Sequence, residues 1–212
     1  MQQILQADPV PGLGGERTRL CVLFADIRGF TARSEAMPPE AVIQMLNSYF
    51  SKVTASIHDA EGTVDKFIGD GIMAFFGAPQ RLENPCVPAV AAARDMLTRV
   101  AELNTELAAR GEPPLAIGIG LHAGDAVVGN VGSETRHNYT AIGDTVNVAS
   151  RLEGLTKDVG FPLVCSATVI DALENRAGFV KLGEQAIKGH TPVAVYGWRP
   201  DEAMARTEEI TT

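Results

Sequence analysis

Cysteine, histidine and basic residues are all scarce in this sequence of 212 residues. It contains three cysteines and four histidines, and its 18 lysines and arginines are outnumbered by 26 aspartates and glutamates, so the net charge is −8. Cys21, Cys86 and Cys165 lie far apart among apolar neighbours without a CxxC motif, which predicts reduced core residues rather than disulfides or metal ligands. The negative charge argues against a nucleic-acid partner, because such binding depends on neutralising phosphates.

Long apolar runs are also missing. No stretch approaches the ~20 residues that a membrane span needs, and residues 1–6 lack the basic and apolar regions of a secretory signal. With 45% hydrophobic and 21% charged residues, the composition is typical of a soluble globular protein. We therefore expect a cytoplasmic domain, and a longer parent protein could still be tethered to a membrane.

Proline and glycine indicate how the chain is divided. Residues 1–18 are rich in both and predict a linker into the domain, residues 19–199 predict one folded domain, and residues 200–212 predict a frayed polar tail. Apolar periodicity predicts helices and strands in an order that is not a regular βαβ repeat, which indicates an α+β fold with helices on an antiparallel or mixed sheet. The predicted helices are 31–35, 39–61, 88–110, 145–155 and 166–173, and the predicted strands are 20–24, 63–68, 72–76, 115–121, 126–131, 161–164 and 193–198.

Two aspartates end apolar, strand-like segments close to glycine. Asp26 follows an apolar run, and Asp70 lies between Gly69 and Gly71. A charge at the edge of a buried run is costly unless it is compensated, and a hard divalent cation would compensate it. Taken alone, the sequence around Asp70 is more typical of a hairpin turn than of a metal ligand, so the metal hypothesis depends on the pair.

Two further patterns could bind a phosphorylated ligand. The turn from Ile27 to Thr31 contains Gly29 and precedes a predicted helix, so its backbone amides could receive phosphate oxygens. Asn147 and Arg151 stand at i and i+4 of a predicted helix and therefore share one face. For an arbitrary pair of this kind, a solvated helical face with the arginine paired to a carboxylate is the favoured interpretation.

Together these segments resemble the catalytic domain of the class III nucleotidyl cyclases, the adenylate and guanylate cyclases. The resemblance covers nearly all of residues 19–198, and its fold is α+β, with a ferredoxin-like, palm-type, mostly antiparallel central sheet flanked by helices. The motifs that carry it, in order along the chain, are FADIRGFT at 24–31, KFIGDG at 66–71, GLHAG at 120–124, GNVGS at 129–133, TAIGDTVNVASRLE at 140–153 and KG at 188–189.

The resemblance implies roles for the residues of these motifs. Asp26 and Asp70, together with Ile27, would hold two Mg²⁺ or Mn²⁺ ions in each active site, one activating the ribose 3′-hydroxyl and one bound to the triphosphate. Asn147 and Arg151 would orient the ribose and stabilise the pentavalent α-phosphate. The remaining substrate contacts that the resemblance implies are Lys188, on the outer phosphates, and the turn residues Ile27, Gly29, Phe30 and Thr31.

The resemblance also assigns the choice of base. In the family this choice falls to the positions of Lys66 and Thr140, and lysine with threonine accompanies ATP, whereas guanylate cyclases carry glutamate and cysteine. The expected reaction is therefore ATP to 3′,5′-cyclic AMP and pyrophosphate, in signal transduction. Threonine is the variant of the cyanobacterial and bicarbonate-responsive subgroup, which leaves bicarbonate regulation open. A homodimer with two active sites at its interface and an upstream regulatory domain in the parent protein are also implied.

The sequence disfavours two other functions. A nucleotide-binding regulatory module without catalysis is disfavoured, because every metal, base and transition-state position is filled. A diguanylate cyclase is disfavoured, because its Gly-Gly-(Asp/Glu)-Glu-Phe motif is absent. The role of Arg136, after Gly132, stays open. We predict structural roles for the four histidines, which show no ligand-like spacing: His58, His122, His137 and His190.

Overall fold

The computed structural model of the protein describes residues 15–133, 137–187 and 190–200. Arg136, Lys188 and the segments 1–14 and 201–212 lie outside the described residues. The elements in chain order are β1 (Gly15–Ile27), α1 (Phe30–Glu35), α2 (Pro39–Asp59), β2 (Thr63–Ile68), β3 (Gly71–Phe76), α3 (Cys86–Ala109), β4 (Ile117–Gly132), β5 (His137–Ile142), α4 (Asp144–Val159), β6 (Leu163–Ser166), α5 (Ala167–Ile170), β7 (Val180–Gln185) and β8 (Val193–Trp198).

All eight strands form one sheet. Seven of them follow the order β2-β3-β1-β4-β6-β8-β7, and β5 pairs with β4 off this path. The β4–β6 pair is parallel, whereas every other described pair is antiparallel. This confirms the predicted α+β fold with a mostly antiparallel sheet flanked by helices.

The central strands β1 and β4 separate two apolar cores. Side chains alternate between the faces of a strand, so Cys21 and Leu23 pack in the core that contains residues of α2 and α3. Leu20 and Val22 point to the opposite face, where they pack with Ala149 of α4. By the same alternation Asp26 lies on the α4 face of the sheet.

Glycine lets α4 rest directly on β4. A Cβ atom on Gly120 would overlap the backbone nitrogen of Glu153 and the carbonyl oxygen of Ala149. A Cβ on Gly118 would overlap the Arg28 guanidinium and the Thr156 hydroxyl. Because Gly120 approaches backbone atoms of α4, which cannot easily move aside, we infer that it sets the height of α4 above the sheet.

The structure corrects three sequence-based predictions about strands. Residues 15–18, predicted as linker, belong to β1 because they pair with residues 126–129 of β4. Residues 115–121 and 126–131, predicted as two strands separated by glycines, belong to one long strand, since β1 pairs with β4 from Ile117 to Gly129. Strands β5 and β7 were not predicted, and both carry several polar side chains in short segments.

The predicted long helices are confirmed, with boundaries shifted by about two residues. Each buries one face against the sheet, and Met45, Tyr49 and Met96 are among the buried side chains. All three cysteines are buried and free, as predicted. Within the described residues, every helix is too short or too polar to cross a membrane.

Candidate active site

The carboxylates of Asp26 and Asp70 meet at one end of the central strands. Asp26 is the penultimate residue of β1, and Asp70 lies in the turn between β2 and β3. Ala25 pairs with Ile72 in the β1–β3 ladder, which brings this turn alongside Asp26. A Cβ atom on Gly71 would lie 3.6 Å from Oδ1 of Asp26, so the residue after Asp70 directly faces that carboxylate.

The Asp26 carboxylate disfavours the charged form of Asp70, and the surroundings of the pair suit a cation. Burial, followed by hydrogen bonding with Asp26 and its negative charge, raises the pKa of Asp70 to about 7. The Ile27 amide donates to Oδ1 of Asp26 at 2.9 Å and orients that group. Within the described ranges, no cluster of three or more His, Cys, Asp or Glu residues could hold a metal. The protein therefore offers two carboxylates, and backbone or substrate oxygens must complete an all-oxygen set, which fits Mg²⁺ or Mn²⁺.

Neutralising Asp70 is expected to stabilise the metal-free protein more at about pH 8 than at about pH 5. The pKa of Asp70 in the folded chain is about 7, above its ordinary value of 3.8, so the stability of the protein falls as the pH rises from 3.8 through 7 and Asp70 loses its proton. With a chelator present, Asp70→Asn should raise the free energy of unfolding by about 1 kcal/mol at about pH 8 and by much less at about pH 5. The effect is modest because solvent screens the partly exposed pair of carboxylates.

Urea unfolding at the two pH values measures this difference. Asp171→Asn, in an exposed carboxylate beyond α5 that pairs with Arg176 at 3.5 Å, is the control, and its effect should be small and the same at both pH values. An equal stabilisation by Asp70→Asn at both pH values would contradict the repulsion argument.

A sharp turn after Asp26 leads into the short helix α1. Gly29 precedes this helix with φ of 65°, a left-handed conformation that favours glycine. No side chain caps α1, and the first-turn amides of Phe30 and Thr31 have no acceptor within the helix. Phe30 also packs against the apolar core. The structure therefore places open backbone donors beside the carboxylate pair.

Lys66 and Thr140 come together although they are 74 positions apart in the chain. Lys66 lies on β2, Thr140 lies on β5, and Nζ of the lysine donates to Oγ1 of the threonine at 3.0 Å. Thr140 is 6% exposed, whereas 40% of the Lys66 side chain is exposed. The pair therefore presents one buried hydroxyl and one accessible ammonium group to a ligand.

Asp65 is a site residue that the sequence motifs did not indicate. Its side chain is fully buried, and its Oδ2 accepts hydrogen bonds from the Thr140 hydroxyl at 2.5 Å and from the Ala141 amide at 3.3 Å. Nζ of Lys66 lies 3.1 Å from Oδ1. An aspartate next to a lysine within an otherwise apolar strand was the available signal, and sequence proximity alone could not show that both side chains reach the same hydroxyl.

Helix α4 carries Asn147 and Arg151 on the face that points away from the sheet. The buried residues of α4 share the opposite face: Thr145, Val148, Ala149, Leu152 and Thr156. With 3.6 residues per turn, Asn147 and Arg151 lie on the far side of the helix axis from this set. Asn147 is exposed and Arg151 half-buried, and neither side chain has a hydrogen-bond or ion-pair partner among the described residues. The alternative of an arginine paired to a neighbouring carboxylate is therefore absent from this part of the chain.

Arg28 links the turn after Asp26 to α4. Its amide donates to the Ala116 carbonyl at 2.8 Å, and its guanidinium lies 3.4 Å from Oε1 of Glu153. Burial lowers the pKa of Arg28, while burial and the charge of Asp26 raise the pKa of Glu153. The motif residue Arg28 thus anchors α4 over the sheet.

His122, in the predicted GLHAG motif, lies in a polar cluster of its own. Its Nδ1 is 2.8 Å from the Ser166 hydroxyl, and burial lowers the pKa of His122 to about 4. Its neutral ring therefore bonds locally to Ser166.

Residues 15–198 match the family model described as the adenylate and guanylate cyclase catalytic domain. The chain belongs to this family. The cyclase domain is 37% identical over 184 residues to adenylate cyclase 1 of Rhizobium meliloti, covering 85% of this chain and 27% of the relative. It is 39% identical over 175 residues to an adenylate cyclase of Anabaena cylindrica, covering 80% of this chain and 34% of the relative. It thus spans about a third or less of the length of these relatives.

Solved structures of both nucleotide classes resemble the cyclase domain. The adenylyl cyclase CyaB from P. aeruginosa matches with a TM-score of 0.82 and 34% identity, over 89% of this chain and 97% of that chain. The guanylyl cyclase Cya2 matches with a TM-score of 0.80 and 36% identity, over 87% of this chain and 93% of that chain. Overall similarity therefore does not decide the substrate.

Proposed function

We propose that this cyclase domain converts ATP to 3′,5′-cyclic AMP and pyrophosphate. The observation that carries this proposal is the convergence of Lys66 and Thr140, whose Nζ and Oγ1 atoms are 3.0 Å apart. An ammonium group donates to the acceptor N1 of adenine, and a hydroxyl oxygen can accept from the exocyclic amine. Guanine carries a donor at N1, which would oppose the ammonium group of Lys66. The names of the Rhizobium and Anabaena relatives support the same choice.

The carboxylate pair and the adjacent turn would hold the triphosphate end of ATP. Asp26 and Asp70, with the Ile27 carbonyl, would bind two Mg²⁺ or Mn²⁺ ions. When bound, such ions lower the pKa of the ribose 3′-hydroxyl and neutralise charge on the phosphates. The open amides of Gly29, Phe30 and Thr31 would donate to phosphate oxygens. Lys188 would contact the outer phosphates.

Asn147 and Arg151 would act on the reacting atoms. The 3′-oxygen attacks the α-phosphorus, the bond to the departing pyrophosphate breaks, and negative charge accumulates on the equatorial oxygens. The Arg151 guanidinium would donate to these oxygens, and the Asn147 amide would hold the ribose in line for attack. Stabilising charge that develops only in the transition state accelerates the chemical step rather than substrate binding.

A homodimer would complete each site. Asp26 lies on the α4 face of the sheet, yet Asn147 and Arg151 project from α4 away from that sheet, so one chain does not direct both sets at one ligand. Two-fold symmetry would bring the Asn147 and Arg151 pair of one protomer to the carboxylates of its partner, forming two equivalent sites. Exposed apolar side chains on one face of β4 and β5 support such an interface: Val127, Val131 and Ile142.

We also propose that the cyclase domain works within a longer signalling protein. The long relatives support this, as does a bacterial light-regulated adenylyl cyclase of which this chain covers 58% at a TM-score of 0.79 and 29% identity. The regulatory input itself is not encoded in the residues of the site.

The direct test is incubation of the protein with ATP or GTP and Mn²⁺, with separation of the cyclic products, at several protein concentrations. We expect cyclic AMP in clear excess over cyclic GMP, and specific activity that rises with protein concentration as dimers form. Absence of cyclic product at high concentration, with intact nucleotide binding, would instead favour a regulatory module without catalysis.

Exchanging the two base-facing residues is expected to weaken the preference for ATP. In Lys66→Glu/Thr140→Cys, the carboxylate would accept from the guanine N1–H instead of donating to adenine. Each unpaired polar group costs about 1–3 kcal/mol, so the ratio of kcat/KM for ATP to that for GTP should fall by about a hundredfold. An unchanged ratio would remove Lys66 and Thr140 from base recognition.

A further inference from the structure

Asp65 occupies a bulge that directs two consecutive side chains towards one hydroxyl. The register of β2 against β3 shifts between Val64 and Lys66, so Asp65 is the extra residue. In a regular strand neighbouring side chains point to opposite faces, whereas here Asp65 and Lys66 both contact Thr140. The bulge therefore builds a closed triangle of carboxylate, ammonium and hydroxyl.

The hydrogen bonds of this triangle fix the direction of the Thr140 hydroxyl. A hydroxyl has one proton to donate and two lone pairs, whereas a carboxylate only accepts and an ammonium only donates. Thr140 therefore gives its proton to Oδ2 of Asp65, at 2.5 Å, and accepts from Lys66 at 3.0 Å. The second lone pair of Thr140 remains for a ligand, which must supply a donor.

We propose that Asp65 is a specificity-determining residue that makes Thr140 an obligate hydrogen-bond acceptor, so that the site selects purines with an amino group at position 6. The proposal rests on the proposed binding of adenine at Lys66 and Thr140. Threonine alone carries no such preference, because a free hydroxyl could turn and donate to a 6-oxo group. Asp65 acts through Thr140 and Lys66, and it is therefore a positioning residue.

A second consequence concerns Lys66. Its ammonium has three donors, of which one reaches Thr140, and Oδ1 of Asp65 lies 3.1 Å away as the counter-charge. A donor directed outward is left for N1 of the base. Asp65 thereby holds the two base-reading groups in complementary states, acceptor beside donor, before the nucleotide arrives.

The unmodified protein provides the first test, with three triphosphates that all keep N1 as an acceptor: ATP, purine riboside triphosphate with hydrogen at position 6, and the 6-methoxypurine analogue. We expect kcat/KM to fall about tenfold from ATP to the unsubstituted purine, for one lost hydrogen bond, and further for the 6-methoxy analogue, whose oxygen would face a lone pair. A higher kcat/KM for the 6-methoxy analogue than for the unsubstituted purine would show that Thr140 donates, and would overturn the proposal.

Asp65→Leu provides the second test, because it keeps a side chain of similar size but removes the oxygen that accepts the Thr140 proton, which leaves the hydroxyl free to rotate and donate. We expect the ratio of kcat/KM for ATP to that for the unsubstituted purine to shrink by about tenfold. The kcat/KM of the 6-methoxy analogue should rise relative to both. A steric effect of the methoxy group would not be relieved by this substitution. In a Thr140→Val background, Asp65→Leu should not change the ranking any further. Asp171→Leu is the matched control and should keep the original ranking.

Each outcome decides a different point. Retention of the original ranking by folded Asp65→Leu would overturn the role of Asp65 while the cyclase activity stands. If the variant does not fold, as judged by circular dichroism, the ranking in the unmodified protein decides. If the protein makes no cyclic product from ATP, the proposed function fails, and equilibrium binding of the same three nucleotides tests Asp65 with the same expected order.

Discussion

Replacing Asp26 or Asp70 by alanine is expected to lower cyclic AMP formation by about a thousandfold or more, because either change removes half of the carboxylate oxygens available to the metal ions. The fold should survive, since burial and the neighbouring carboxylate already raise the pKa of Asp70 to about 7 in the absence of a cation. The measurement is the initial rate with saturating Mn²⁺ and ATP.

The control for this experiment is Asp171→Ala, which removes a carboxylate far from the site and should retain full activity. Circular dichroism should show the same secondary structure in all variants. Substantial Mn²⁺-dependent turnover by Asp26→Ala or Asp70→Ala would refute the assignment of these aspartates as metal ligands.

Mixing two inactive variants is expected to restore activity. Asp26→Ala damages the carboxylate half of a site, and Arg151→Ala damages the half that we place on the other protomer. In a heterodimer one site receives both lesions and the other receives none. Random pairing at equal concentrations makes half of the dimers heterodimers, so about one quarter of the original activity should return.

A second mixture is the matched control for complementation. Asp26→Ala and Asp70→Ala damage the same half-site, so each site of their heterodimer carries one lesion and the mixture should stay inactive. Failure of the first mixture, with subunit exchange demonstrated by labelled protomers, would contradict a site shared between protomers. Equal rescue in both mixtures would contradict it as well.

The proposed preference for ATP would depend on more structure than Lys66 and Thr140 alone. Lys66 and Thr140 lie on strands that are far apart in the chain, and their 3.0 Å contact needs both the β4–β5 pairing and the bulge in β2. Relatives with either nucleotide specificity share the fold at TM-scores of 0.82 and 0.80. We infer that the orientation of individual polar groups, rather than the fold, separates the two specificities.

Local sequence patterns predicted much of the architecture. The apolar periodicity of α2 and α3 predicted both helices, because a helix that packs on a sheet must present one apolar face to it. The glycines of β4, in contrast, led to a wrong prediction: two strands were predicted where the structure has one. Glycine weakens a strand in isolation, but here Gly118, Gly120 and Gly124 are all paired with β1, and Gly118 and Gly120 make room for α4.

By itself, the sequence determined the family and the long helices and predicted the residues of the candidate site, because these depend on residue types and short spacings. Only the tertiary structure decided that Asp65 joins Lys66 and Thr140, that Arg28 anchors α4, and that Asn147 and Arg151 point away from the sheet. The physical reason is that these features depend on strand register, a single-residue bulge and the rotation of one helix about its axis. Such quantities are set by long-range packing and pairing. In a strand, a shift of one residue would turn each side chain to the opposite face of the sheet.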